Sequence, residues 1–302
     1  MLDTQKSKLQ QLDQTNCLLQ DLSVFVKRDD LIDDLVSGNK WRKLKYNILA
    51  AQANRNETLV TFGGAYSNHL VATAKACQLS YIQSVGIVRG DELNPSSNST
   101  LRLCHEFGMK MIFVSRDEYQ MRDDKSYIEQ LHIDFPNSFI VPEGGANFYG
   151  LSGCQELWAE LPKDFTDVVV AAGTGTTAAG LLSGMPEHMN LHVFSALKGD
   201  FMALGIERKL NFGFHNAEFT HACMSRLKVY DENVFGGYGK HTPILIEFMK
   251  FVKNEFNLPL DQVYTAKAFY GLFQMIQSGQ FKKNSKILFI HTGGLQGNTV
   301  LT

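Results

Sequence analysis

Two lysines stand one helical turn apart in the sequence SGNKWRKL, which occupies residues 37–44. A glycine turn precedes an amphipathic stretch there, so Lys40 is predicted in the first turn of a helix and Lys43 on the same face. Cations at a helix N-terminus oppose the helix dipole, and this lowers the pKa of each amine unless an anion or a covalent adduct compensates. An amine with a lowered pKa is the nucleophile that imine formation requires. An exposed basic helix start explains this segment equally well.

A polar triplet follows a predicted strand in the sequence TFGGAYSNHL, residues 61–70. Ser67, Asn68 and His69 open the next helix, where backbone N–H groups and side-chain donors converge on a site for a carboxylate. The Ser67 hydroxyl is also a candidate for proton transfer. The alternative is that Ser67 or Asn68 is only the N-cap of the helix, which is the commoner role of these residue types.

A glycine and threonine turn joins a buried strand to a helix of small residues in the sequence VVVAAGTGTTAAG, residues 168–180. Its residues Gly173, Thr174, Gly175, Thr176 and Thr177 are predicted to bring backbone N–H groups and hydroxyls close to a phosphate. The turn is not a Walker A motif, because no Gly-Lys-Ser/Thr follows, and its third glycine comes too late for a G-x-G-x-x-G fingerprint. A purely structural turn is the alternative.

Two tyrosines and two threonines near the C-terminus complete the candidates: Tyr238, Tyr264, Thr265 and Thr292. Small residues flank them, which suits a flat aromatic ligand, although each one alone is more often a packed side chain or part of a tight turn. The histidines show no ligand-like spacing with cysteines or carboxylates, so we expect no catalytic metal.

Alternating strands and helices must position these residues. Short β-branched runs predict buried parallel strands at 24–27, 58–62, 84–89, 110–114, 139–141, 168–171, 192–196 and 286–291. Amphipathic stretches predict crossover helices at 41–53, 70–78, 151–161, 244–256 and 266–277. The pattern predicts an α/β fold with mostly parallel sheets covered by helices on both faces. Glycine turns follow several strands, which is where ligands bind in open α/β sheets.

Composition narrows the class of partner. Lys and Arg number 29 against 31 Asp and Glu, so no strong electrostatic field favours nucleic acid or an anionic membrane. The N-terminus lacks an apolar signal segment and no stretch of about 18 apolar residues follows, so we expect a cytoplasmic protein. The 5 cysteines are scattered without a C-x-x-C pair, which argues against disulfides and structural zinc.

Taken in order, the motifs resemble one family, the fold type II pyridoxal phosphate enzymes of the group that contains D-cysteine desulfhydrase and 1-aminocyclopropane-1-carboxylate deaminase. The resemblance begins at VKRDD, residues 26–30, and continues through GNK-x-RKL, the Ser-Asn-His triplet and the glycine and threonine turn to HTGG at residues 291–294. It implies a tryptophan synthase β-like fold of two domains. The large domain is expected at 1–42 and 147–302, with a small domain inserted at 43–146, and we expect a homodimer.

The resemblance also implies where the cofactor, pyridoxal 5'-phosphate, is held. Lys40 is the Schiff-base lysine, and its freed amine removes the α-proton of the substrate. Lys43 and the turn from Gly173 to Thr177 hold the phosphate, and Asn68 contacts the phenolic oxygen of the cofactor. Thr265 and Thr292 are the candidates beside the pyridine nitrogen.

On the substrate side, the resemblance implies that Ser67, Asn68 and His69 bind the carboxylate of a small amino acid. Tyr264 stacks on the cofactor ring and Tyr238 lines the substrate side. The expected catalytic residues are Lys40, Ser67, Tyr238 and Tyr264.

Residue 265 distinguishes members of the group. Aminocyclopropane deaminases carry a glutamate there, which pairs with the protonated pyridine nitrogen, whereas this chain has Thr265. A neutral hydroxyl makes the ring a weaker electron sink, and a weak sink suits β-elimination of a good leaving group. Thr265, Thr292 and His69 therefore favour a lyase that converts D-cysteine to pyruvate, sulfide and ammonia.

Three other functions stay open. The chain is a 1-aminocyclopropane-1-carboxylate deaminase in the first, and a pyridoxal phosphate-binding protein without catalysis in the second. The second is suggested by the segment 195–230, which has little family character, and by Leu295-Gln296-Gly297 in place of the family's Ala-Pro-Ala-Leu. In the third, an unrelated α/β enzyme uses the turn at Gly173 for a nucleotide.

Overall fold

A computed structural model describes residues 2–13, 19, 21–197, 199, 201–231, 235, 237 and 239–298. The chain divides into two compact units. Unit 1 contains Met1–Leu2 and Lys40–Gly153, and unit 2 contains Asp3–Asn39 and Cys154–Thr302. The domain boundaries expected from the sequence, at 43 and 146, lie three and seven residues from those of unit 1 at 40 and 153.

Unit 1 is built on a parallel sheet of four strands in the order β5-β4-β3-β6. The strands are β3 (Thr58–Gly64), β4 (Gln83–Arg89), β5 (Lys110–Val114) and β6 (Ser138–Val141). Its helices are α1 (Asn39–Ala53, apart from Asn39 itself), α2 (Asn68–Leu79), α3 (Ser99–Glu106), α4 (Arg116–Gln120), α5 (Lys125–Asp134) and all but the last two residues of α6 (Phe148–Gln155).

Unit 2 is built on a sheet of six strands in the order β1-β2-β10-β7-β8-β9, parallel except for the β1–β2 pair. The strands are β1 (Leu9–Gln11), β2 (Ser23–Lys27), β7 (Asp167–Ala172), β8 (Asn190–Ser195), β9 (Leu227–Tyr230) and β10 (Lys286–Ile290). Its helices are α7 (Thr176–Gly184), α8 (Phe201–Phe214), α9 (Ala217–Met224), α10 (Pro243–Phe256) and α11 (Thr265–Gln277).

Each sheet forms the wall of its own apolar core. In unit 1, Val60, Phe62 and Ile87 of neighbouring strands pack together with Leu131 of α5. In unit 2, Phe269 of α11 lies edge-on to Phe289 of β10, with ring centroids 4.8 Å apart. Burial of such side chains contributes about 1.5–3 kcal/mol each, so the sheets are the rigid parts that carry the loops at their ends.

The predicted α/β class is confirmed, and all eight predicted strands are present. Two strands were missed: β1, the antiparallel one, and β9, whose residues are mostly half-buried. Five helices were missed as well, α3, α4, α5, α8 and α9. The helix predicted at 151–161 is an α-helix only to Gln155 and continues as a 3-10 helix over Glu156–Glu160.

Among the residues that the structure describes, no helix is both long and apolar enough to cross a membrane.

Candidate active site

Lys40 and Lys43 of α1 lie in unit 1 beside a glycine turn. Lys40 is half-buried at the second position of the helix, and Lys43 is 3% exposed. A Cβ on Gly145, which has φ +71°, would lie 3.1 Å from Lys43 Cβ and 3.8 Å from His69 Cε1. The absence of a side chain at Gly145 therefore lets the turn after β6 pack against both residues, and it brings Lys43 and His69 close to each other.

A chain of amide hydrogen bonds holds this turn in place. The side chain of Asn147 donates to Asn47 Oδ1 (2.7 Å), and that of Asn47 donates to the carbonyl of Lys43 (2.7 Å). The backbone N–H of Asn147 donates to the carbonyl of Gly145 (3.0 Å). Asn47 is fully buried, so its amide must be hydrogen-bonded, and that requirement ties the turn to α1.

Ser67 is the N-cap of α2. Its hydroxyl oxygen accepts a hydrogen bond from the N–H of Leu70 at 3.3 Å, so the capping role considered for Ser67 or Asn68 belongs to Ser67. The hydroxyl proton is not used in that contact. The backbone N–H groups of Asn68 and His69 belong to the first turn, where a helix leaves such donors unpaired and its dipole favours an anion. These groups are suited to binding a carboxylate.

His69 is buried in unit 1, at 4% exposure. Its Nε2 lies 3.0 Å from the hydroxyl of Thr61 on β3, and its Nδ1 has no hydrogen-bond partner within the described part of the chain. Burial, and then the charges of Lys43 and Lys40, hold the pKa of His69 well below its usual value of 6.5. The imidazole is therefore neutral at neutral pH, and a carboxylate bound here is held by N–H groups and not by an imidazolium.

The glycine and threonine turn lies in unit 2, between β7 and α7. Gly175 has φ +80° and is the N-cap of α7 without any side-chain cap, so the first N–H groups of this nine-residue helix are left for another acceptor. The hydroxyls of Thr174 and Thr176 are 3.2 Å apart. The turn has the donor set that a phosphate needs.

Asn39, the residue that precedes Lys40, is tied to this turn. Its side chain donates to the hydroxyl of Thr177 at 2.7 Å, and its backbone N–H donates to the carbonyl of Thr292 at 3.3 Å. Gly38 has φ +56°, and a Cβ there would lie 2.2 Å from the carbonyl oxygen of Thr292. Because only glycine allows that approach, Gly38 and Asn39 connect the Thr177 turn to the end of β10.

Tyr264 lies against the same turn. A Cβ on Gly173 would be 3.0 Å from Cε1 of Tyr264 and 3.3 Å from its hydroxyl, so the ring edge contacts the backbone of Gly173. The backbone N–H of Tyr264 donates to Asp261 Oδ1 at 2.8 Å. This places the predicted stacking residue beside the predicted phosphate loop.

Thr265 is used by the fold in a way that the sequence did not reveal. Its hydroxyl donates to Asp261 Oδ2 at 2.6 Å and accepts from the N–H of Asp261 at 2.8 Å, and the residue is fully buried. A hydroxyl has one proton, so that of Thr265 is not available to a pyridine nitrogen. Thr292 accepts the hydrogen bond from Asn39 through its carbonyl and not through its hydroxyl. The hydroxyl of Thr292 is therefore a better candidate than that of Thr265 for the partner of the pyridine nitrogen.

Tyr238 lies outside the residues that the structure describes. Nearby in the chain, the carbonyl of Gly237 accepts a hydrogen bond of 2.8 Å from Nζ of Lys267. Burial lowers the pKa of Lys267 to about 8, and the charge of Asp261 opposes that shift.

Four residues of the site were not predicted as such: Asn39, Thr61, Gly145 and Asp261. Asn39 had a weak signal in the sequence, since an amide next to the candidate lysine is a helix-start residue. Thr61 is a polar residue between Val60 and Phe62 in a buried strand, and a buried hydroxyl needs a partner. Gly145 belongs to one of the glycine turns that follow strands, and Asp261 comes shortly before Tyr264, but the contacts of both residues are set by tertiary packing and could not be predicted.

The two sets of residues fit the cofactor that the resemblance implies. Lys40 offers a primary amine for the aldehyde, and the uncapped start of α7 offers N–H groups for the phosphate. The unpartnered Nδ1 of His69 is a buried acceptor of the kind that functional sites retain. Within the described residues, no group of three or more His, Cys, Asp or Glu side chains is placed to hold a metal ion.

Solved structures similar to this chain include a homologue of 1-aminocyclopropane-1-carboxylate deaminase, with a TM-score of 0.78 and 28% identity. The match covers 97% of this chain and 90% of that one. A hydrogen sulfide-producing enzyme from Fusobacterium nucleatum has a TM-score of 0.67 at 13% identity, over 96% of this chain and 95% of its own, which shows the fold alone. The expected fold type II architecture is confirmed by these neighbours.

Curated relatives match most of this chain. A Pyrococcus furiosus protein, named provisionally as a 1-aminocyclopropane-1-carboxylate deaminase, is 30% identical over 286 residues, which cover 91% of this chain and 85% of the relative. The bifunctional D-cysteine desulfhydrase/1-aminocyclopropane-1-carboxylate deaminase of Arabidopsis thaliana, named as mitochondrial, is 32% identical over 300 residues, 91% of this chain and 73% of the relative. The family model described as pyridoxal-phosphate dependent enzyme matches residues 3–293. The chain belongs to this family, and pyridoxal phosphate is its cofactor.

Proposed function

We propose that Lys40 is the lysine that binds pyridoxal phosphate and that the protein is a lyase for a small amino acid. The observation that carries this proposal is the hydrogen bond of 2.7 Å between Asn39 and Thr177. It ties the residue before Lys40 to the turn whose N–H groups suit a phosphate. Lys40 follows Asn39 directly in the chain, so its amine is our candidate for the group that would bind the aldehyde of the cofactor.

When bound, pyridoxal phosphate stabilises negative charge on the α-carbon of an amino acid joined to it. The chain supplies the rest. The N–H groups at the start of α7 and the hydroxyl of Thr177 bind the phosphate, together with Lys43. The side chain of Asn68 donates to the phenolic oxygen of the cofactor, and Tyr264 stacks on its ring.

On the substrate side, Ser67 and the first N–H groups of α2 bind and orient the carboxylate. The amine of Lys40, once released from the cofactor, takes the α-proton. The resemblance assigns Tyr238 to the substrate side. The products are a keto acid and ammonia together with the group lost from the β-carbon.

The preferred substrate is D-cysteine, with sulfide as the leaving group. Residue 265 is not a glutamate, and the hydroxyl of Thr265 is engaged by Asp261, which leaves a neutral group at most for the pyridine nitrogen. A neutral partner keeps the electron sink weak, and sulfide needs less help to leave than a ring carbon does. The Arabidopsis relative carries D-cysteine desulfhydrase in its name.

Deamination of 1-aminocyclopropane-1-carboxylate is the second candidate, because both curated relatives carry that activity in their names. It differs from the first by producing a keto acid without sulfide.

The test is a panel of D-cysteine, L-cysteine, D-serine and 1-aminocyclopropane-1-carboxylate, with sulfide, keto acid and ammonia measured for each. Sulfide and pyruvate in equal amounts from D-cysteine support the preferred substrate, and keto acid from the cyclopropane alone supports the second candidate. A yellow protein that is bleached by borohydride but is silent on all four would contradict both and favour a pyridoxal phosphate-binding protein without catalysis.

We also propose a cytoplasmic location and a homodimer. Sedimentation of the cofactor-loaded protein tests the dimer, and fractionation of cells that express it tests the location.

A further inference from the structure

Thr61 joins two elements of unit 1 through one hydroxyl. The residue is fully buried on β3, in register with Val141 of the neighbouring strand β6. Its Oγ1 lies 2.8 Å from the carbonyl oxygen of Val141 and 3.0 Å from Nε2 of His69. A carbonyl can only accept, and a hydroxyl has one hydrogen, so that hydrogen lies toward Val141. Nε2 of His69 must then be the donor to Thr61.

This contact decides the tautomer of His69. With the proton on Nε2, Nδ1 carries a lone pair, and the ring is buried with no partner for that atom among the described residues. A buried acceptor left unpaired costs about 1–3 kcal/mol, so its presence calls for a ligand that occupies it in some state of the enzyme. Lys40 and Lys43 are the charges that act on this ring.

We propose that Thr61 is a positioning residue, which holds His69 as the Nε2–H tautomer so that Nδ1 accepts a hydrogen bond from the protonated amine of Lys40. The inference rests on the proposed role of Lys40. When the amine has taken a proton from the α-carbon, the C–H bond is broken, its electron pair stays with the substrate, and the new ammonium needs an acceptor. The lone pair of Nδ1 supplies one without being protonated itself.

The tautomer also limits what the ring can bind. A carboxylate cannot donate a hydrogen bond to Nδ1, and two lone pairs facing each other repel. Nδ1 of this tautomer is therefore suited to a donor such as an amine, and the carboxylate is left to the backbone N–H groups and Ser67.

The experiment uses the cofactor-loaded enzyme with nitrogen-15 in its histidines and compares three variants. Thr61→Val removes the hydroxyl, Thr61→Ser keeps it, and Thr73→Val is a matched control. Thr73 is a fully buried threonine of α2, and its hydroxyl has no hydrogen-bond partner among the described residues. The ring nitrogen signals of His69, assigned by their loss in His69→Leu, report which nitrogen carries the proton.

In the wild type, in Thr61→Ser and in Thr73→Val, we expect one protonated Nε2 and one unprotonated Nδ1. In Thr61→Val, the two signals should move toward each other as both tautomers become populated. With D-cysteine, kcat should fall about tenfold in Thr61→Val with KM changed less than about twofold, because binding of the carboxylate does not use the ring.

A Thr61→Val protein that keeps the wild-type nitrogen signals overturns the inference. So does an equal loss of kcat in Thr61→Val and Thr73→Val, which would mean that any cavity in this region has the same effect. The nitrogen signals do not require turnover. A wild-type enzyme that is inactive but shows the Nε2–H tautomer, lost only in Thr61→Val, would contradict the proposed substrate and leave the role of Thr61 supported.

Discussion

Two buried histidines, one in each unit, differ in how completely their rings are hydrogen-bonded. In unit 2, Nε2 of His291 lies 2.7 Å from the carbonyl of Pro259, and its Nδ1 accepts from the N–H of Gly293 at 3.2 Å. In unit 1, Nε2 of His69 lies 3.0 Å from the hydroxyl of Thr61, whereas its Nδ1 has no hydrogen-bond partner among the residues that the structure describes. Both rings follow or precede a glycine turn at the end of a strand, so their surroundings in the sequence look alike.

This difference separates a histidine with a structural role from one that is suited to meeting a ligand. A ring with both nitrogens paired holds two backbone groups that would otherwise be buried without partners, and this is a structural role. A ring with one nitrogen unpaired gives up stability in the free protein, and such a cost is typical of groups that meet a ligand.

The largest effect is expected at Lys40, one of the two lysines whose charge acts on His69. Replacing Lys40 with Ala removes the amine that we propose to hold the cofactor and to take the proton, so turnover should fall by about 10³-fold. The adduct fixed by borohydride should disappear from the intact mass. Lys45→Ala on the same helix is the control and should keep both. A Lys40→Ala protein that still forms the adduct would show that another lysine is the anchor.

The two histidines should then separate in stability. His291→Leu leaves the Pro259 carbonyl and the Gly293 N–H buried without partners, so the free energy of unfolding should fall by about 2–4 kcal/mol. His69→Leu removes one hydrogen bond but also removes an unpaired buried nitrogen, and Thr61 keeps its bond to Val141. Its net change should be within about 1 kcal/mol.

Urea unfolding of the two cofactor-free variants measures both changes in stability. Turnover of the cofactor-loaded variants measures their activity. His69→Leu should lose activity while it stays folded. An equal loss of stability in the two variants would remove the distinction between the structural and the functional ring.

Thr265 and Thr292, the two threonines considered as partners of the pyridine nitrogen, can be compared in the same way. Thr265→Val removes a donor to the carboxylate of Asp261 and leaves the buried N–H of Asp261 unpaired. We therefore expect a loss of about 1–2 kcal/mol in unfolding free energy and little change in the absorption spectrum of the bound cofactor. Thr292→Val should change the absorption spectrum of the bound cofactor and leave the unfolding free energy nearly the same. Spectra and urea midpoints of the pair, recorded side by side, test this; a spectral change in Thr265→Val alone would return the ring-nitrogen role to Thr265.

The smallest effect is a dependence of stability on pH. Burial, Lys43 and Lys40 depress the pKa of His69 in the folded protein, so the unfolded chain binds its proton first as the pH falls below about 6.5. The contribution is fully present above that pH and declines below it, by at most about 1.4 kcal/mol per pH unit. Unfolding by urea between about pH 5.5 and 7.5 should show a flatter dependence in His69→Leu than in the wild type. Parallel curves would mean that His69 does not titrate differently in the two states.

Elements with strong periodicity were predictable, and elements held by their neighbours were not. The strands at Lys110–Val114 and Asp167–Ala172 were found because each is, after its first residue, a continuous run of apolar residues. The strand Leu227–Tyr230 and the helix Lys125–Asp134 were missed, since Lys228 interrupts the short apolar run of the first and the second is polar on most of its surface. Their structure depends on the sheet against which they lie.

The site divides in the same way. Lys40, the Ser67 triplet and the turn at Gly173 carry residue types whose chemistry is evident in one segment, and the order of these segments indicated the family and the cofactor. Which hydroxyl is available was not evident. Thr265 and Thr292 are equivalent candidates in the sequence, and the hydrogen bond from the hydroxyl of Thr265 to Asp261 distinguishes them.

The fold class, the cofactor and the amine that we propose to hold it could be predicted from the sequence, because they follow from local residue types and their order along the chain. The tautomer that we infer for His69 and the hydrogen bond from Asn39 to Thr177 required the tertiary structure. Thr61 and Val141 are 80 residues apart, and Asn39 and Thr177 are 138 apart. One hydrogen bond fixes each of these contacts, and no local sequence pattern indicates which distant acceptor a donor will meet.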